Sequence, residues 1–487
     1  MAEENLKQKA VKGVVWTAIQ KYSTMLIQFV SGVILARLLS PTDFGCIGML
    51  AIFMSLAQVF VDSGFDSALI QKKNPTTIDY STVFYFNLGM SIILYSLLFI
   101  CAPYIAVFYK MPILCKVLRV QGLVLIIYSL NLIQRNRLRK TLQFNVLAKI
   151  AIITSVISLA ITVTLAYLGC GVWALVTHYF ITAAIPCVYF YIISDWRPTL
   201  EYSWKSFKEL FGFGSFILCS NLFETFCDKI SSLLVGRRFT AETLGYFSKA
   251  VGTCDMASMS ISGVVLETTY PLYSTVQDDK DRMASIVKQA VSVLAYITIP
   301  LLLVLVVLAK PIFILLYSEK WLPAVPYFQM LCIGGMATCL QSVNTQPIAA
   351  LGKSKVMFKW SVFKRSIGVL TLFILLLAFE MKGLLVGIVF SSWFSYIVNI
   401  CLVSKYVGYK YYRQLLDLIP IFIIAGMSAI ISYFCGLFLP FGLYYNALIQ
   451  LLIIVVIYGG WSLLFKPAPF AYSLSILQAL KRRFNNI

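Results

Sequence analysis

The chain has 487 residues, 60% of them hydrophobic and 12% charged, with a formal net charge of +20, and its mean hydropathy is +0.85. A soluble domain carries about 25% charged residues, so this composition excludes a water-soluble fold and makes lipid the solvent. A sizeable soluble domain is excluded too, because apolar runs of about 20 residues, each long enough for a hydrocarbon core of about 30 Å, recur along the whole chain.

Met1 to Lys12 is polar and basic. The run after it is too long and too polar-striped for a signal-peptide core and lacks a small-residue cleavage site, so it is expected to remain attached as the first span. Apolar windows with polar breaks place spans at 13–36, 42–66, 80–108, 113–133, 145–168 and 171–194. A second set follows at 209–236, 242–268, 288–309, 325–350, 360–379 and 383–404, and a last pair at 417–438 and 444–465. Alternate loops carry about 28 Lys and Arg on the N-terminal side and about 9 on the other, the largest groups being Arg135/Arg137/Arg139/Lys140 and Lys353/Lys355/Lys359/Lys364/Arg365. The positive-inside rule then puts both termini in the cytoplasm of a multi-pass protein of the plasma membrane. It also absorbs most of the net charge, which removes the argument for nucleic acid as a partner. The segment Phe470 to Phe484, with Leu and Ile on one side and Lys481, Arg482 and Arg483 at its end, is expected to lie along the cytoplasmic interface. None of the twelve cysteines lies in a CxxC pair and nearly all fall in apolar runs, so they read as small hydrophobes, with neither a disulfide nor a metal site assigned.

Two segments match at an offset of 200: LARLLSPTDFG from Leu35 to Gly45 and VGRRFTAETLG from Val235 to Gly245. Arg37 pairs with Arg237, Ser40 with Thr240 and Gly45 with Gly245. Each copy ends a long span in Arg and places a hydroxyl residue to cap the next helix. The expected fold is therefore an all-α integral membrane protein of about fourteen transmembrane helices. Residues 1–200 (spans 1–6) and 201–405 (spans 7–12) form two pseudo-symmetric six-helix lobes, and 406–487 adds spans 13–14 and the tail. An even number of spans per lobe keeps the copies in one orientation, related by an axis along the membrane normal.

Span one carries Thr17, Lys21, Thr24, Gln28 and Ser31 on one helical face, and span seven carries Asn221, Glu224, Asp228 and Ser231 at the positions equivalent to the last four. Hydrogen bonding between packed spans accounts for the Thr, Ser and Gln residues of such a stripe. It accounts poorly for Lys21, Glu224 and Asp228, which at membrane depth have to face protein or water. Both stripes are expected to line one central cavity. Lys21, Thr24, Gln28 and Asn221 are the substrate-facing candidates; Lys229 and Lys249 either join them or snorkel to the interface. Glu224 and Asp228, four residues apart, cannot both stay ionised cheaply, so the pair takes up a proton, holds a cation, or forms a salt bridge to a lysine. Asp255, near the middle of span eight, needs a partner or a proton and joins them as a cation-coupling candidate. His178, the only histidine, has no carboxylate neighbour in sequence and reads as a packed polar residue. No paired carboxylates in an outer loop, nucleophile and base, or glycine-rich phosphate loop is present, so the chain is read as a transporter and not an enzyme.

Several blocks resemble the polysaccharide-transport branch of the multidrug/oligosaccharidyl-lipid/polysaccharide exporter superfamily, the Wzx-like oligosaccharide flippases. LARLLSPTDFG at 35–45 and VDSGFDSALIQKK at 61–73 are the more specific; IQRNRLRKTLQFNVLAK at 133–149 and LYSEKWLPAVP at 316–326 are also similar. The resemblance implies two six-helix lobes around a V-shaped cavity, and alternating access for a polyprenyl-pyrophosphate-linked oligosaccharide in cell-surface polysaccharide biosynthesis. It implies a bacterial inner-membrane location beside other polysaccharide-assembly proteins, and coupling to Na+ or H+ without a bound cofactor. Related lipid II flippases bind the pyrophosphate with an arginine cluster in the cavity; here the first helix offers Lys21 in its place. A cation-coupled drug antiporter on the same scaffold is the alternative that the acidic stripe leaves open.

Overall fold

The computed structural model describes residues 2–472, so most of the expected interfacial tail lies outside the described residues. Those residues are helical almost throughout and form two compact units, Met1–Ser248 and Lys249–Ile487. The first unit holds α1 (Ala2–Leu38), α2 (Pro41–Asp62), α3 (Phe65–Gln71), α4 (Thr77–Phe108), α5 (Ile113–Lys140), α6 (Phe144–Tyr167), α7 (Val172–Ile193) and α8 (Trp204–Arg238). The second holds most of α9 (Ala241–Thr275), then α10 (Lys280–Val307), α11 (Ala309–Tyr317), a 3-10 turn at Glu319–Ala324, α12 (Val325–Ala350), α13 (Ser354–Tyr406), α14 (Tyr411–Phe438) and α15 (Leu443–Phe465). The boundary between the units falls at 248/249, and α8 packs on α2, α3 and α4 of the first unit.

Every expected span coincides with a long helix, α13 supplying two. Its 53 residues would measure roughly 80 Å if straight, far more than a bilayer core. The chain instead breaks at Phe379 and Glu380, the latter at φ 53°. Gly383 then lies so close to the Leu375 carbonyl that a Cβ would come within 1.9 Å of its oxygen, and Gly387 packs tightly on Leu372. The two arms run back along each other as a helical hairpin, joined further along by Lys364 Nζ donating to Asn399 Oδ1 at 3.0 Å. Among the described residues ten helical runs are long and apolar enough to cross a membrane, and α8, bent by 50° between Gly212 and Gly214, makes an eleventh. The chain is a multi-pass membrane protein.

The 200-residue repeat has a physical counterpart. Ser40 caps α2 in a capping box, its hydroxyl accepting from the Asp43 N–H while Asp43 Oδ2 accepts from the Ser40 N–H at 3.0 Å. Thr240 caps α9, its hydroxyl accepting from the Thr243 N–H at 3.2 Å. The two repeat glycines meet each other's caps: a Cβ on Gly45 would lie 1.8 Å from the Ala241 carbonyl oxygen, and one on Gly245 1.9 Å from that of Pro41. The first turns of α2 and α9 thus cross in direct backbone contact, as close-packed membrane helices do at small residues. Gly45→Ala is expected to force these backbones apart and lower stability by about 1–3 kcal/mol. Gly89→Ala, where nothing lies within 4 Å, should leave the melting temperature in detergent unchanged or raised; equal melting of both variants would contradict the contact.

Candidate functional site

Within the first unit α1, α5, α6 and α7 enclose a cavity of about 670 Å³. Its wall on α1 is Thr17, Gln20, Lys21 and Thr24, on α6 Leu147, Ile150 and Ala151, and on α7 Tyr179, Thr182, Ala183, Pro186 and Phe190. Thr24 turns its hydroxyl back to the Gln20 carbonyl at 2.7 Å, so its own helix satisfies it. Pro186 has no N–H and leaves the Thr182 carbonyl without its usual intrahelical donor, a disruption tolerated at membrane depth only where protein or a polar cavity surrounds it.

The helix that gives the cavity its charge is α5. Val124, Tyr128, Asn131, Arg135 and Arg139 follow one another at steps of three or four and present one face to the cavity. Asn131 Nδ2 donates to the Ala183 carbonyl at 2.8 Å, fixing α5 against α7. The Arg135 guanidinium donates to the Tyr128 hydroxyl at 3.0 Å and lies 5.4 Å from the centroid of that ring. Arg139 pairs with Asp66 at 3.2 Å, and Asp62 and Asp66 both lie within electrostatic reach of Arg135. The lining holds three cationic side chains, Lys21, Arg135 and Arg139, and no carboxylate among the described residues.

The α2–α3 corner holds this end of α5 in place. Ser63 and Gly64 adopt left-handed backbone at φ 46° and 71°, and a Cβ on Gly64 would lie 2.3 Å from the Gly214 carbonyl at the bend of α8. Asn136 Nδ2 donates to the Asp66 carbonyl and carboxylate at 2.9 and 2.8 Å, and Lys140 Nζ to the carbonyls of Leu69, at 2.8 Å, and Lys72. Beyond the spans Lys72 bridges Asp79 at 3.2 Å and Glu209 at 3.1 Å. Partial burial pushes its ammonium pKa down, and the two carboxylates more than reverse that, leaving it above the usual lysine value.

Arg135 and Arg139, expected in a cytoplasmic loop after a span ending near 133, are on α5 itself. Hydropathy falls away after Ile133, yet Gln, Arg, Leu and Lys are good helix formers, so the helix continues to Lys140. The signal that could have found them is a polar stripe on span four, Tyr128, Asn131, Arg135 and Arg139, of the kind that marks span one. Of the residues singled out in the sequence, Lys21 and Thr24 line this cavity, whereas Gln28 is exposed one turn on. On α8, Asn221 and Asp228 are exposed and Glu224 and Lys229 half-buried, outside its lining. In the second unit Lys249 lies 4.1 Å from the Tyr317 ring centroid and 5.9 Å from that of Trp321, and Asp255 is exposed. His178 packs between α6 and α7, Nδ1 at 2.8 Å from Ser158 Oγ, in the structural role its sequence context suggests. Among the described residues no three His, Cys, Asp or Glu side chains are grouped to hold a metal ion.

The fold has relatives among solved structures. The lipid II flippase MurJ in an inward closed conformation superposes with a TM-score of 0.73 at 17% identity, covering 93% of this chain and 98% of that one. In sequence, the chain is 26% identical over 358 residues to the teichuronic acid biosynthesis protein TuaB of Bacillus subtilis (strain 168), covering 73% of this chain and 74% of the relative. It is 23% identical over 446 residues to the lipopolysaccharide biosynthesis protein WzxC of Escherichia coli (strain K12), covering 89% of each. The family model described as polysaccharide biosynthesis protein matches residues 34–326, more than half of the chain, and includes all four blocks singled out above. The chain therefore belongs to the polysaccharide biosynthesis protein family.

Proposed function

We propose that the chain is an alternating-access flippase of a bacterial inner membrane, with both termini cytoplasmic, that moves a polyprenyl-pyrophosphate-linked oligosaccharide for cell-surface polysaccharide. The observation that carries this reading is the face of α5 in the cavity, where Arg135 and Arg139 join Lys21 with no carboxylate among the described lining residues. A pyrophosphate head cannot enter hydrocarbon without several kcal/mol of lost hydration, and guanidinium forks replace that hydration with bidentate hydrogen bonds. The volume, about 670 Å³, lies in the range of about 300–1,000 Å³ usual for ligand cavities, and its hydroxyl and amide groups suit sugar. The polyprenyl tail stays in lipid. The names of the relatives, for teichuronic acid, lipopolysaccharide and lipid II, belong to the same chemical class. The drug-antiporter alternative is disfavoured by the same wall, since three cations repel a cationic drug.

Loss of a charge-assisted bond of about 1.5–3 kcal/mol predicts that Arg135→Gln and Lys21→Ala each lower transport of labelled lipid-linked sugar in proteoliposomes about tenfold or more, and Lys21→Glu further still. Normal surface glycan in cells making only the Lys21→Glu chain would sink the assignment.

Charge bias supports the orientation: single cysteines at Lys73 and Lys355 should be shielded from external reagents in intact cells, and ones at Glu242 and Lys382 labelled. Reversal of that pattern would overturn the topology.

Glu224 and Asp228 are proposed as the Na+ or H+ coupling pair, with Asp255 as a further candidate, because two carboxylates four residues apart share one face of a membrane-crossing helix. The Asp228→Asn, Glu224→Gln double variant should still bind substrate and lose gradient-driven flipping; undiminished flipping would exclude coupling through this pair.

A further inference from the structure

At the opposite end of α2 from the cationic cavity, where α8 ends, α9 begins and α4 turns into α5, the first unit holds a second cavity of about 410 Å³. Its wall carries Tyr109, Lys110, Arg237, Arg238, Thr240 and Thr243. By the charge count this is the side with only about nine Lys and Arg, three of which converge here. Among the described residues no carboxylate pairs with Lys110, Arg237 or Arg238. The two nearby acids of the repeat are engaged elsewhere, Asp43 with Ser40 and Glu242 as acceptor from the Tyr246 hydroxyl at 2.6 Å. The N-terminus of α9, a helix of 35 residues, adds N–H groups that lack intrahelical partners, and the positive end of its dipole.

A further observation points to a ligand. Tyr109 is 7% exposed and lines this cavity, and its hydroxyl is buried with no hydrogen-bond partner. An orphaned hydroxyl of this kind costs about 1–3 kcal/mol unless an acceptor or donor reaches it. Lys110 is unusual as well: it occupies the left-handed position after α4 at φ 56°, where glycine is the common residue. A lysine there puts an ammonium at the boundary between this cavity and a neighbouring groove of about 510 Å³, which it shares with Pro103, Ala106, Val107, Met111 and Pro112.

The cationic cavity and the apolar groove meet at Lys110, which is the pattern of an anionic head joined to a hydrocarbon chain. We infer that this corner binds a lipid with an anionic phosphate or pyrophosphate head, the head held by Lys110, Arg237, Arg238 and the Tyr109 hydroxyl and the chain lying in the groove beside Val107. No residue is shared with the α5 cavity, so the inference stands apart from the proposed function. A polyprenyl pyrophosphate and an anionic bilayer phospholipid present the same chemistry to these groups.

The test places a benzophenone amino acid at Val107, which is 76% exposed, in the full chain in nanodiscs of phosphatidylcholine alone, or doped with phosphatidylglycerol or undecaprenyl pyrophosphate. Irradiation and mass spectrometry should give an adduct with a doped anionic lipid about fivefold or more above the phosphatidylcholine level, and the Arg237→Gln, Arg238→Gln double variant should bring it back to that level. The larger of the two adducts identifies the source of the head. Tyr109→Phe, which keeps the ring, should lower the adduct with the fold intact, and serves if the double variant melts early. Arg135→Gln, which tests the α5 cavity, should leave it unchanged, so either reading can fail without the other. Equal adducts with phosphatidylcholine alone, or no loss in both the double variant and Tyr109→Phe, would overturn the site.

Discussion

An ionised side chain packed against other helices loses hydration, at a cost of several kcal/mol, unless partners replace it, and the arrangement of the first unit follows from that constraint. Arg135 and Arg139 sit on α5 with Asp62 and Asp66 supplied by the α2–α3 corner, and Tyr128 gives Arg135 both a hydroxyl acceptor and an aromatic face. The corner has to be tight for those acids to arrive in register. Ser63 and Gly64 make it so with left-handed backbone, and Gly64 lets the bend of α8 approach to backbone distance. A side chain at Gly64 would separate α3 from α8 and with it the acids from the arginines.

The same economy of space appears at the other end of α2. Gly45 and Gly245 each admit the carbonyl of the residue that opens the other's helix, so the sequence repeat is also a contact. Cap, turn and glycine act together: Ser40 and Thr240 fix where α2 and α9 start, and Gly45 and Gly245, each five residues after its cap, fix how closely they cross. Arg237, the repeat partner of Arg37, is steered from that crossing toward Phe108, with its guanidinium 4.9 Å from the ring centroid.

Much of this was legible in the residues. Apolar length gave the helices, including the pair that α13 joins through a break at Phe379 and Glu380, because hydrophobic period and polar interruption are local properties. Ser40 and Thr240 were legible as caps for the same reason. Lys21 was readable because it interrupts a span. Arg135 and Arg139 were not, since they follow a span, and hydropathy cannot distinguish a charged loop from a helix that continues with charge on one face. Tyr128 lies seven residues before Arg135 on the same helix, but the contact that ties Arg139 into a site, with Asp66 of a corner 73 residues earlier, is tertiary.

The acids beside the arginines bear on how a flippase of this kind would work. A carrier has to bind its cargo firmly enough to take it from one leaflet and loosely enough to release it to the other. Three bare cations in a low dielectric would hold a pyrophosphate far too well, as Coulomb energies rise steeply once water is excluded. Arg139 instead already pairs with Asp66 at 3.2 Å, and Arg135 lies in the field of both Asp62 and Asp66. On the proposed function, a phosphate arriving at these guanidiniums would displace or share an existing partner, so the gain would be the difference between two ion pairs and not the whole of one. Rebinding of Asp66 to Arg139 would then assist departure. Lys21, on a different helix, would contribute a point charge that attracts the head without fixing its geometry, which suits a group that must leave again. Weak net binding through exchange of partners would keep the cavity polar enough to admit an anion while leaving alternating access free of a deep energy well.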